Sequence, residues 1–314
     1  MSFPAAAGFR DIGSSDMLYI PEVWSRKWLA KFFKRTVFSE ICNRDHESEI
    51  KDYGDTVNIR ALPDITVNTY RKGQVIDYKQ PTSTGTQLLI DKGAYWAFPT
   101  NKVDDAQTDM NSYANDWGEV AMKQTQEAID LAVLGNVYSD ASSYNKGATA
   151  GYISSDLNLG VDGGTSVAIT KSDVVDKIIE CDQALSELDV PAERRYMVMP
   201  EWMATLVLLS DLKGADLTGM QKSILLNGKL PMQIGNFTLY RSNQLSTGAD
   251  GSANTCTRVL FGSMEAISFA TQITVNEHLV NPDDFGMLHR GLQVYGYKVV
   301  KPEALGVLFC RKGS

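Results

Sequence analysis

The segment from Glu47 to Lys102 constrains the fold more than any other, because it reads as a long β-arm with too little apolar surface to stand alone. Asp55 to Leu62 alternates Val57, Ile59 and Ala61 with Asn58 and Arg60, the period-two pattern of a strand with one dry face. Ile65 and Val67 alternate with Thr66 and Asn68 in the same way, and a return run, Thr86 to Ile90, carries Leu88 and Ile90. Between them lies a tip read as polar: Arg71, Lys72, Gly73, Asp77, Lys79, Gln80, Pro81 and the Thr82 to Thr86 cluster. A two-stranded ribbon is marginal in water, so an arm of this length is expected to lie against another body.

The rest of the chain can supply a core. It has 314 residues, 43% of them apolar, which suits two domains or one elaborated domain. No run of 18 apolar residues is present, and the N-terminus lacks the charged start and apolar run of a signal peptide. Synthesis in a reducing cytoplasm is therefore expected, with no membrane partner. Cys42, Cys181, Cys256 and Cys310 lie far apart without a C-x-x-C pair, and read as buried core residues.

Charge is unevenly spread. Net charge is −8, yet Pro21 to Arg44 carries six basic residues (Arg26, Lys27, Lys31, Lys34, Arg35, Arg44) against two acidic ones. Val103 to Pro200 carries 17 acidic residues against six basic ones. Such polarity can orient subunits relative to each other or to a polyanion, although two solvated faces of opposite sign give the same count.

Residues 1–19 read as a loose arm. Pro21 then opens a helix in which Val23, Trp24, Trp28, Leu29, Phe32, Phe33, Val37, Phe38 and Ile41 form an apolar stripe, with the basic residues on the far face. The stripe could suit a membrane surface, but its place just before the β-arm favours docking on protein. After the arm, Tyr95 to Phe98 reads as a short strand ended by Pro99. From Val103 to Tyr138 a 3.6-residue period continues for 36 residues, with Asp104 and Asp105 in the first turn. Unbroken, that helix would be about 54 Å long, and Gly118 is a candidate for a bend.

Tyr138 to Gly164 is a Ser-, Asn- and Gly-rich junction. Beyond it the pattern is α+β. Ser172 is placed to cap a helix carrying Val174 to Leu188, Arg195 to Met199 reads as a strand, and Pro200 starts a helix through Leu209. Lys213 to Gly228 is interrupted by glycines. Strands are expected near Gln233 to Arg241, Arg258 to Gly262 and Ile267 to Val275, and the runs Arg290 to Lys301 and Ala304 to Cys310 read as two adjacent closing strands.

Residues that could carry chemistry are sparse. His46, His278 and His289 have neither metal-ligand spacing nor an evident partner. Gly228-Lys229 is followed by Leu230 and lacks the glycine spacing of a P-loop, and no G-x-S-x-G elbow occurs. Asp104/Asp105 and Asp283/Asp284 sit where a helix start and a turn favour aspartate. The basic aromatic helix could touch nucleic acid, but no recognition motif accompanies it. Catalytic residues, metal ligands and cofactor-binding residues are all expected to be absent.

The order of elements carries a resemblance. The Ile20-Pro21-Glu22-Val23-Trp24 helix start, the Gly54-Asp55-Thr56-Val57-Asn58-Ile59-Arg60 strand, the long hairpin, the Leu89-Ile90-Asp91-Lys92-Gly93 return, the helix after Asp104-Asp105-Ala106-Gln107 and the closing Lys301-Pro302-Glu303-Ala304-Leu305 together resemble tailed-bacteriophage major capsid proteins. The resemblance covers essentially the whole chain and implies the Hong Kong 97-like capsid fold. It implies an N-terminal arm and basic helix (1–46), an extended loop with flanking strands (47–102), a spine helix with peripheral domain (103–168), an axial domain (169–288) and C-terminal strands (289–314).

The function it implies is a shell subunit forming pentamers and hexamers of an icosahedral head around double-stranded DNA, with a virion location. Expected intersubunit contacts are Arg71, Lys72, Asp77, Lys79 and Gln80 in the extended loop. Trp24, Arg26, Lys27, Lys31, Lys34 and Arg35 are expected to meet a neighbour, a scaffold or DNA. The family's prototype begins with a scaffolding segment removed by a protease; here the first helix starts within about 20 residues of Met1, so a separate scaffolding protein is expected, together with a portal, and there is room for a decoration protein. No Lys and Asn flank a catalytic carboxylate, so cross-linking is not expected. An encapsulin-like compartment holding an enzyme cargo has the same fold and is the alternative, with Trp24, Trp28, Phe32 and Phe33 as its cargo groove. A soluble enzyme is a third reading and would need a polar pocket.

Overall fold

A computed structural model describes residues 33–45, 56–60, 62–63, 65–76, 78, 80–82, 85–107, 113–210 and 233–313. In chain order the elements are α1 (Phe38–Ile41), β1 (Thr56–Arg60), β2 (Gly85–Leu89), β3 (Lys92–Asn101), α2 (Lys102–Gln107), α3 (Tyr113–Asn136), β4 (Val167–Ile169), α4 (Val174–Ser186), β5 (Arg195–Met199) and α5 (Glu201–Leu209). β6 (Gln233–Ile234), β7 (Phe237–Arg241), β8 (Thr247–Ala249), β9 (Thr255–Ser263), β10 (Ile267–Val280), β11 (Gly286–Val299) and β12 (Leu305–Lys312) complete the chain. The strands form a β1–β2 ribbon, a three-stranded antiparallel sheet in the order β10-β11-β3, and a seven-stranded mixed sheet in the order β4-β12-β9-β5-β7-β6, with β8 on β9.

The large sheet separates two cores, and β5 shows how. All five of its residues are buried, as a near-continuous apolar run requires of a central strand covered on both faces. Successive side chains point to opposite faces. Met197 and Met199 join Phe237, Val259, Phe261 and Leu308 under α4 and α5, against Val174, Ile178, Leu185, Met203 and Val207. Tyr196 and Val198 join Leu260, Leu305 and Val307 on the other side, against Ile129, Val133 and Leu134 of α3. All four cysteines are buried, and burial pushes the Cys42, Cys181 and Cys310 thiols up, which keeps them unreactive at neutral pH.

Several expected boundaries need correction. The helix expected from Pro21 does not reach Ile41 unbroken: residues 21–32 lie outside the described residues, 33–37 are non-helical, and among the described residues of the stretch Phe38–Ile41 is helical. The cause is tertiary: Asp130, fully buried on α3, accepts hydrogen bonds from the backbone NH groups of Val37 (3.0 Å) and Phe38 (2.8 Å), and Glu127, one turn earlier, accepts from the NH of Lys34. Carboxylates of the spine thus take backbone donors that a helix would have used internally. Burial raises the Asp130 pKa against the pull of those two bonds.

The expected 36-residue helix has two described pieces, α2 and α3, with residues 108–112 outside the described set. α3 is 24 residues long, about 36 Å, and Gly118 lies within it without ending it. Pro99 does not end its strand either: β3 runs on to Asn101, with Pro99 opposite Leu288. β3 is an edge strand, where a missing NH is tolerated. Ser172 does not cap α4; its hydroxyl donates to Asp173 (3.1 Å), the residue at the cap. The two closing strands are not adjacent, because β11 lies in the small sheet and β12 in the large one.

Beside α4, Glu187 pins the loop at residues 151–155. Partial burial pushes its pKa up, but hydrogen bonds from the Ser154 NH (3.0 Å), the Gln183 amide (2.9 Å) and the Ile153 NH (2.8 Å) outweigh this and hold it down, from 4.5 to about 2. A depressed carboxylate contributes stability above its unfolded pKa and loses it as pH falls through its folded value. Amide-exchange protection at Ile153 and Ser154 is therefore expected to fall as pH drops from 4.5 to about 2. Glu187→Gln should already lack most of that protection at pH 7; a variant as protected as the native chain would contradict this.

Candidate intersubunit surface

Among the described residues, the arm is anchored at its root. β1 and β2 pair antiparallel with Thr56 opposite Leu89 and Arg60 opposite Gly85. The expected dry face is present: Val57, Leu88 and Ile90 are buried against Ala270, with Ile59 and Val294 at the edge. Close approach to the small sheet depends on Gly296 of β11, where any side chain would run into the Leu89 carbonyl and the Ile90 backbone. Beside the root, a cleft of about 550 Å³ separates it from the end of the spine. Lys92 crosses its mouth, 2.9 Å from Asp91 and 4.7 Å above the Tyr297 ring.

Past the root, no strand pairing occurs among the described residues of 62–82, so the alternation at Ile65 and Val67 does not become a paired strand. The tip turns at Arg71 to Gln74, where the Gln74 NH reaches the Arg71 carbonyl (3.0 Å), the Gln74 side chain accepts from the Arg71 NH (3.2 Å), and Gly73 takes φ +88°. Only glycine adopts that conformation without strain.

Of the expected contact residues, Arg71, Lys72 and Gln80 are exposed, and Asp77 and Lys79 lie outside the described residues. The larger signal is apolar. Leu62 is 96% exposed, Val67 92%, Val75 89% and Tyr78 89%, with Ile65, Tyr70 and Ile76 also open. The reading of this tip as polar missed Val75, Ile76 and Tyr78, which interleave its charges. Burying a Val, Leu or Ile side chain is worth about 1.5–3 kcal/mol, whereas an exposed ion pair gives about 0.2–1. Apolar burial would therefore dominate any contact made by this surface.

The second expected surface is described only in part. Trp24, Arg26, Lys27 and Lys31 lie outside the described residues. Lys34 and Arg35 are exposed and line a cavity of about 460 Å³ with Phe33, Glu201, Arg241, Ser242 and Asn243, in which Arg241 pairs with Glu201 at 3.2 Å.

Among the described residues, no three His, Cys, Asp or Glu side chains converge as metal ligands, and no helix is long and apolar enough to cross a membrane. The histidines need one correction. His278 and His289 are directly opposite on β10 and β11, with their Nδ1 atoms 2.7 Å apart. The signal was present in the sequence: Asp283-Asp284 reads as a turn, and it is the midpoint between the two histidines.

No protein-family model matches the chain, and no curated protein matches it. Solved structures do. A chain of Mycobacterium phage Che8 is 26% identical, with 92% of this chain and 96% of that one covered at a TM-score of 0.72. The capsid of cyanophage P-SCSP1u is 14% identical, with 94% of each chain covered and a TM-score of 0.72. The mature capsid of bacteriophage PhiM1 is 13% identical, with 99% of each covered and a TM-score of 0.71. The chain has the α+β fold of tailed-phage major capsid proteins, with an arm rooted on a small sheet and a long helix packed against that sheet.

Proposed function

We propose that this chain is a major capsid protein that self-assembles into pentamers and hexamers and closes an icosahedral head around double-stranded DNA. The observation that carries this reading is the arm: a ribbon with a packed root and a distal half whose large apolar side chains face solvent in the isolated subunit. Such a surface is an interaction site in a soluble protein, and the solved capsids share the fold that presents it. The neighbouring subunit is the body it grips. Arg71, Lys72, Asp77, Lys79 and Gln80 would then align the contact, while Lys34 and Arg35, with Arg26, Lys27 and Lys31, would meet a neighbour, a scaffolding protein or packaged DNA. We assign α3 and the small sheet to a peripheral domain and the α4–α5 side of the large sheet to an axial domain. A separate scaffold and a portal complete the assembly. The cargo-compartment alternative has no observation in its favour.

Electron microscopy of the purified protein, alone and with a candidate scaffold, tests this. Hollow shells, tubes, or free pentamers and hexamers are expected. A monomer at every concentration, with and without scaffold, would overturn the proposal.

A further inference from the structure

The His278–His289 pair is more ordered than two surface histidines need be. The Thr100 hydroxyl lies 3.3 Å from the Met287 carbonyl and 3.2 Å from His289 Nε2. A hydroxyl has one hydrogen; given to the carbonyl, it leaves the oxygen to accept from Nε2–H. Neutral His289 then presents a lone pair at Nδ1, aimed at His278 Nδ1. Phe98 stacks on the His289 ring, with centroids 5.1 Å apart and planes 19° apart, and limits its rotation. His278 faces it edge-on, at 4.8 Å and 72°. One proton sits between two nitrogens, and both rings belong to strands fixed by the β10–β11 ladder.

This is how proteins prepare an imidazole to bind a metal: the far nitrogen donates to a fixed acceptor, which sets the tautomer and aims the near nitrogen. We propose that His278 and His289 form a two-ligand site for a first-row divalent cation that prefers imidazole, such as Zn²⁺, with water in the remaining positions. The chemistry balances without a co-reactant. Neutral His278 moves its proton from Nδ1 to Nε2, and the ion takes the place of the hydrogen bond between the two Nδ1 atoms. With Zn–N bonds of about 2.0–2.1 Å, a tetrahedral angle sets the nitrogens about 3.3 Å apart. They stand at 2.7 Å, so the rings need to part by about half an ångström. The exposed side of His278 gives the ion an entry path. Bound there, the ion clasps β10 to β11 near the hairpin end, next to exposed Val280 and Phe285.

The test is zinc titration of the full-length protein, read by calorimetry and by the imidazole resonances. The native chain should bind one more zinc per chain than the H278A/H289A double variant, and the His278 and His289 resonances should shift together. Thr100→Val leaves both ligands in place but removes the acceptor that orients His289, and should weaken binding on the order of tenfold. His46→Ala should change none of this. Circular dichroism confirms folding, and the single H278Q variant stands in if the double variant fails to fold. Equal zinc binding by native and variant chains, or resonances unmoved by zinc, would overturn the proposal.

Discussion

Deleting Thr69 to Gln80 should abolish assembly while leaving the subunit folded. The described residues of that segment are exposed, and its turn closes on itself through Arg71 and Gln74. The root cluster of Val57, Leu88, Ile90 and Ala270 lies outside the deletion. Far-ultraviolet circular dichroism and thermal unfolding of the isolated subunit should therefore match the native chain, and electron microscopy should show no closed particles. Replacing Val75, Ile76 and Tyr78 with serine should impair assembly more than replacing Arg71 and Lys72 with alanine, because buried apolar side chains outweigh exposed ion pairs several-fold. A deletion that unfolds the monomer would place the tip in the subunit's own core, and equal effects of the two sets of substitutions would refute the apolar ranking.

The largest stability loss is expected from Arg195→Ala. The Arg195 side chain is 2% exposed and donates to the Asp182 carboxylate (2.5 Å), the Asp182 carbonyl (3.2 Å), the Ser186 hydroxyl (2.9 Å), the Pro191 carbonyl (3.0 Å) and the Val190 carbonyl. One guanidinium thus ties the last turns of α4 and the following loop to the first residue of β5. Truncation leaves a largely buried carboxylate whose other side-chain partner is Asn236, at 2.8 Å. Removing one member of a buried ion pair costs about 3–5 kcal/mol. Arg195→Lys should recover only part of it, since an ammonium cannot span the same fork of acceptors. Denaturant unfolding of the isolated subunit measures both, and a loss below about 1 kcal/mol for the alanine variant would show that the network is dispensable.

Elements with a clean period were legible in the sequence. Val57 and Ile59 marked β1, the Arg195 to Met199 run marked β5, and Pro200 marked the start of α5. What escaped depends on partners far away in sequence. Residues 33–37 carry a helical stripe, yet Glu127 and Asp130, more than 90 positions on, take their backbone donors. Pro99 looks like a terminator until its strand proves to be an edge. β11 and β12 follow each other closely, but sheet membership is set by pairing partners, and Pro302 to Ala304 turns the chain between sheets. At the tip the charges were noticed and Val75, Ile76 and Tyr78 between them were not, because that stretch was read by its charges and turn formers alone.

The arm's seat has a consequence for timing. Val57, Leu88 and Ile90 pack on Ala270, and Val294 closes the same cluster, so the anchor is made of sequence about 180 residues downstream of the ribbon. At about 5–20 residues per second, the ribosome takes roughly 10–40 s to deliver it. Throughout that interval the ribbon has been synthesised but has nowhere to dock, and a two-stranded ribbon alone is marginal. A nascent chain cannot hold its gripping element at a defined angle, whereas a released one can. On the proposed assembly, shell growth would thereby be restricted to finished subunits, and half-made chains on one messenger would be kept from seizing each other.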